Sequence, residues 1–93
     1  MKNENGYPCP CCGYLTRSED LAGTYEICPI CFWEDDNVQF EDPTFKGGAN
    51  EMSLIEAREN FLKFGAISQE FKKCVRSPLP QEMPGPNSKR GSQ

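Results

Sequence analysis

Two hydrophobic patterns divide the chain. From Ser53 onward apolar residues recur at helical spacing; before Asn50 they gather in short runs around paired cysteines. At about 100° per residue, Leu54, Ala57, Phe61 and Phe64 share one stripe, with Ile55 and Leu62 at its margin. Ser53-Leu54-Ile55-Glu56 is a capping box that opens this helix, and Gly65 is its natural stop. Glu56, Glu59, Asn60 and Lys63 face away, whereas Arg58 falls inside the apolar sector. The stripe is expected to pack on Phe32, Trp33 and Tyr25, with Arg58 held by a carboxylate of Glu34, Asp35 or Asp36. Ile67, Phe71, Cys74 and Val75, at i, i+4, i+7 and i+8, predict a second, shorter helix ending before Ser77-Pro78. Cys74 lies on its apolar face and reads as a buried thiol acting as a small hydrophobe.

In the first half, Tyr14-Leu15-Thr16 and Thr24-Tyr25-Glu26-Ile27 flank a polar loop ending at Gly23. Aromatic and β-branched residues on both sides of such a loop predict a β-hairpin with Cys12 at one end and Cys28 at the other. The acids Glu34-Asp35-Asp36 read as a solvated face, and Gly47-Gly48-Ala49-Asn50 as a connecting loop. Residues 1–6 are polar, and residues 80–93 are rich in proline, glycine and polar side chains. The expected organisation is therefore flexible ends at 1–6 and 80–93 around one domain at 7–79.

The cysteines sharpen this picture. Two residues separate Cys9 from Cys12 and Cys28 from Cys31, and fifteen residues, Gly13 to Ile27, separate the pairs. That is the spacing of a four-thiolate metal site, each knuckle turning two sulfurs towards one ion. Cys11 offers a competing ligand: Cys9 with Cys11 makes a one-residue bite, whereas Cys9 with Cys12 matches the other knuckle and keeps Gly13 beside the second ligand. The matched register is preferred, which leaves Cys11 as turn filler or as a thiol available for exchange. The resulting fold class is a small α+β, metal-stapled domain: a zinc-ribbon-like β-hairpin with two knuckles, one amphipathic helix and a shorter C-terminal helix.

With 93 residues the chain has little room for a core, so a metal staple is physically reasonable. It contains no histidine, which excludes His-built catalytic zinc sites. No basic-then-apolar segment opens it and no apolar run approaches the length of a membrane span, so a reducing cytoplasm is expected, where cysteine pairs favour metal over disulfide. Net charge is −4, and residues 1–50 carry nine acids against three bases. That sign around the knuckles disfavours binding to nucleic-acid phosphates.

Tyr7-Pro8-Cys9-Pro10-Cys11-Cys12-Gly13-Tyr14, then Tyr25-Glu26-Ile27-Cys28-Pro29-Ile30-Cys31-Phe32-Trp33-Glu34-Asp35-Asp36, resemble the small bacterial cysteine-rich CPCC family. Gly48-Ala49-Asn50 and the stretch Ser53-Leu54, Glu56-Ala57-Arg58 and Asn60-Phe61 are similar to its second block, so the resemblance runs from about Tyr7 to Leu79. Cys74 lies outside the motif. The resemblance implies a cytoplasmic metal-binding domain and, by association alone, a small protein partner in a toxin–immunity setting. The function expected from these readings is a non-enzymatic module with structural zinc that contacts a protein partner. The alternatives are a rubredoxin-like Fe(Cys)4 electron-transfer protein, against which Phe32 replaces the glycine expected after the second knuckle, and a nucleic-acid-binding zinc ribbon, against which the charge stands.

Overall fold

Strands in this protein are short because the chain spends its backbone on turns. In the computed structural model, residues 6–20 and 22–84 are described. Strand β1 (Tyr7–Pro8) pairs antiparallel with β2 (Leu15–Arg17), in register Tyr7 with Arg17 and Pro8 with Leu15. The first knuckle is the tip of this hairpin. An isolated bridge between Ile27 and Glu34 closes the loop that carries the second knuckle.

The hairpin expected between residues 14–16 and 24–27 does not form. The far side of that loop is already engaged: Tyr25 N–H donates to Asp35 O and Asp35 N–H to Glu26 O, both across 2.9 Å. Each knuckle is thus the tip of its own hairpin-like loop. Side chains still link the two, since both the backbone N–H and the hydroxyl of Ser18 donate to the Glu26 carboxylate.

Two of the three acids in the run are buried, contrary to its reading as a solvated face. Asp35 and Asp36 are 2% and 6% exposed. Asp35 Oδ2 accepts from Gly23 N–H, Thr24 N–H, the Thr24 hydroxyl and Arg17. Asp36 starts a short helix that the pattern did not predict, α1 (Asn37–Glu41), accepting from Val38 N–H and Gln39 N–H through Oδ1 and from Ala49 N–H through Oδ2. Buried carboxylates need such donors to offset desolvation.

Gln39, fully buried on α1, organises the loop behind it. Its amide nitrogen donates to the carbonyls of Phe45, Asn50 and Met52, and its oxygen accepts from the backbone and side chain of Asn50. Gly48 lies so close that a Cβ there would sit 2.6 Å from Asp36 Oδ2 and 3.0 Å from Gln39. The double-glycine loop therefore connects, as expected, and its second glycine is a packing requirement.

Helix α2 (Leu54–Phe64) begins and ends where its local signals place it. The Ser53 hydroxyl accepts from Glu56 N–H, the Glu56 carboxylate accepts from Ser53 N–H, and Gly65 closes the helix at φ 81° with its N–H on Phe61 O. Leu54 and Ala57 are fully buried, Phe61 and Phe64 are half-buried, and Leu62 is 85% exposed. Among the described residues Arg58 does not reach an acid. Its Nε donates to Pro10 O at 2.9 Å, because Asp35 and Asp36 already have their own partners. Tyr25, expected beneath α2, is exposed.

The second helix is a 3-10 turn, Gln69–Cys74, and Cys74 is exposed rather than buried. Ile67 sits ahead of the turn, its N–H bonded to Cys31 O, so the expected α-helical stripe never runs continuously from Ile67. Phe71 instead stacks on Phe32, with ring centres 4.4 Å apart. Beyond the turn, Arg76 N–H donates to Pro29 O, and its guanidinium grips Glu82 with two bonds of 2.9 and 2.8 Å. Glu82 ends a 3-10 turn at Pro80–Glu82. Of the expected ends, residues 1–5 and 85–93 lie outside the described residues.

The core has the cysteines at its centre. Cys9, Cys11, Cys28, Ile30, Cys31, Trp33, Leu54, Ala57 and Ile67 form one buried cluster. A chain this small does not have a hydrophobic core separate from its sulfur site.

Candidate metal centre

The two knuckles are the same turn made twice. Gly13 N–H donates to Cys9 O and Phe32 N–H to Cys28 O, each across 2.8 Å. Cys9 N–H donates to Tyr14 O and Cys28 N–H to Trp33 O, at 2.8 and 2.9 Å. The residue after each second cysteine is left-handed: Gly13 at φ 85° and Phe32 at φ 77°. This repetition aligns Cys12 with Cys31, and leaves Cys11 aligned with Ile30.

Facing each other, the turns interleave their sulfurs. Cys9 Sγ lies 3.6 Å from Cys31 Sγ, and Cys12 Sγ lies 3.7 Å from Cys28 Sγ. All four sulfurs fall within 4.8 Å of one another. A tetrahedron of thiolates with metal–sulfur bonds of about 2.3 Å has an edge of about 3.8 Å, so the quartet has the dimensions of a closed four-sulfur cage. The four cysteines are positioned to hold one metal ion. All six cysteines are free thiols.

The electrostatics of the four thiols point the same way. Hydrogen bonding to Cys12, and then to Cys31 and Cys9, pulls the Cys28 thiol below its usual range. The Thr16 hydroxyl at 3.2 Å and Ile30 N–H at 3.4 Å also reach this sulfur. Cys31 is pushed far up, first by its contact with Cys11 and then by the rest of the quartet, and Cys12 is pushed up by Cys28. Four thiolates cannot ionise together in so small a buried volume without a cation. A bound ion reverses that balance, stabilising every thiolate at once.

Cys9, Cys12, Cys28 and Cys31, the sequence-predicted ligands, are thus brought together, three of them buried and Cys12 half-buried. Cys11 is 8% exposed and packs in the core, touching Cys31 from outside the quartet. Cys74 is not part of it and lies on the exposed 3-10 turn. Thr16 escaped the sequence reading, since a hydroxyl on β2 carries no sign of which sulfur it will meet. Among the described residues no helix is long and apolar enough to cross a membrane.

No curated protein matches the chain. The family model described as cysteine-rich CPCC matches residues 7–82, a span that holds both knuckles, α1, α2 and the Arg76–Glu82 pair. The chain belongs to the cysteine-rich CPCC family.

Proposed function

We propose that this chain is a non-enzymatic module in which Cys9, Cys12, Cys28 and Cys31 hold one structural zinc ion, and whose surface serves contact with a protein partner. The observation that carries the reading is the interleaved sulfur quartet at 3.6 and 3.7 Å. Four protein thiolates fill a tetrahedral ion and leave no position for water or substrate. The sulfurs are also the middle of the only buried cluster among the described residues, so an ion there acts on folding directly. The acidic balance of residues 1–50, nine acids against three bases, favours a protein partner over nucleic acid.

Iron in the same quartet would make an electron-transfer centre. Such centres tune their potential through hydrogen bonds to sulfur. Among the described residues one backbone N–H, that of Ile30, reaches a sulfur, which favours the structural reading. Metal analysis of protein produced without added metal separates the two. The expected sample is colourless with one zinc per chain, and chelation collapses the near-ultraviolet signal of Trp33. A red, iron-loaded sample, or an apo chain with an unchanged spectrum, contradicts the proposal.

A further inference from the structure

Beside the second knuckle the fold leaves a cavity of about 300 Å³. Its floor is apolar, made by Phe32, Ile67 and Phe71, with the Phe32 and Phe71 rings stacked on each other. Its rim is acidic: Glu34, Glu51 and Glu70 line it, and none of the three carboxylates has an ion pair among the described residues. Glu34 is half-buried and Glu51 and Glu70 are exposed, whereas the buried carboxylates are engaged, Asp35 by Arg17, Asp36 by backbone N–H groups and Glu82 by Arg76. Ser68 lines the same cavity, and its buried hydroxyl has no hydrogen-bond partner among the described residues.

The cavity is tied to the sulfur site through the backbone. Phe32 directly follows Cys31, and Ile67 N–H donates to Cys31 O at 2.9 Å. The same knuckle that presents a sulfur to the quartet therefore sets the cavity floor.

An aromatic floor under three unpaired carboxylates is the chemistry that takes a cation carried on an apolar stem. The geometry points to this cavity as the docking site for a basic side chain, arginine or lysine, flanked by apolar residues in a partner protein. The inference rests on the interaction-module reading above and names its surface. Aromatic rings receive the guanidinium or the aliphatic stem, and the rim carboxylates accept its N–H donors. The volume, at the low end for ligand pockets, suits one side chain.

The test is a titration of the isotope-labelled, zinc-loaded full chain, followed by amide chemical shifts. The probes are a capped leucine–arginine–leucine tripeptide, its citrulline analogue, and 1,5-diaminopentane. The arginine peptide is expected to shift the amides of Phe32, Asn50, Ile67, Ser68 and Phe71. Binding should weaken about tenfold with citrulline, and about tenfold in the Glu51→Gln/Glu70→Gln double variant, whose spectrum otherwise stays native. Equal binding of arginine and citrulline peptides, shifts centred on Tyr14 and Leu62, or no binding at millimolar probe overturns the proposal. Tighter binding of the diamine than of the peptide overturns it too, reassigning the cavity to a small amine. Failure in a folded, zinc-loaded chain faults the cavity alone, whereas a chain without zinc faults the module reading beneath it.

Discussion

Gly13 and Phe32 occupy the same step of two matching turns, at φ 85° and 77°, yet only one of them is glycine. A left-handed backbone costs a residue with a Cβ about 1–2 kcal/mol. Phe32 carries that cost while its ring stacks on Phe71. Phe32→Ala and Phe32→Gly both lose the stack, but only the alanine variant keeps the backbone strain. Chemical denaturation should therefore find Phe32→Ala less stable than Phe32→Gly by about 1–2 kcal/mol. Equal stabilities, or a more stable alanine variant, would show that the turn is not strained at this step.

Local signals were legible in the chain and non-local ones were not. The knuckles follow from cysteine spacing, and α2 from a serine, a glutamate and a glycine within its own termini, so both could be read directly. The β1–β2 pairing could not, because two- and three-residue strands have no pattern of their own, and Pro8 argues against a strand. Asp35 and Asp36 look like surface acids until the amides of Gly23, Thr24 and Ala49 arrive from elsewhere in the chain. Cys74 misled for a different reason. The periodicity through Ile67 assumed one helix where the chain makes a bend and then a 3-10 turn.

Gln39 is the polar side chain whose loss should be felt most. Its amide meets three carbonyls and its oxygen meets both donors of Asn50, all with no exposure of Gln39 itself. Buried groups left without partners cost about 1–3 kcal/mol each. Gln39→Leu is expected to destabilise the protein by about 3 kcal/mol and to speed amide hydrogen exchange at Asn50. Unchanged exchange there would mean that the 44–52 loop is held by other contacts.

Asp36 gives a prediction with a pH sign. Burial works against its charge, but the N–H groups of Ala49, Gln39 and Val38 outweigh it and hold the carboxyl below its ordinary value of 3.8. Because the folded value is depressed, the stability Asp36 contributes is complete above the unfolded value and is lost as pH falls through the folded one. Its carboxyl carbon should titrate with a midpoint below the ordinary value of 3.8 in the zinc-loaded chain, and a midpoint at or above that value in a folded chain would contradict this. Asp36→Ala, which removes the cap of α1, should cost about 2 kcal/mol.

The α2 stripe makes a paired prediction. Phe61 is half-buried, packed on the core and edge-on to Tyr14 with ring centres 6.4 Å apart, whereas Leu62 is 85% exposed. Phe61→Ala should cost about 2–3 kcal/mol and Leu62→Ala less than about 0.5 kcal/mol in thermal or chemical denaturation. A comparable loss from both would mean that α2 presents a different face to the core.

Which thiols hold the ion is tested most directly by native mass spectrometry of single cysteine-to-serine variants purified without added metal. The Cys9, Cys12, Cys28 and Cys31 variants are expected to lose the single bound zinc ion and, with it, the folded charge-state distribution. Cys11→Ser and Cys74→Ser should each retain one zinc ion and the folded distribution, because Cys11 stands outside the quartet and Cys74 lies on the exposed 3-10 turn. A Cys11→Ser variant that arrives empty while Cys12→Ser arrives loaded would contradict the account at its centre.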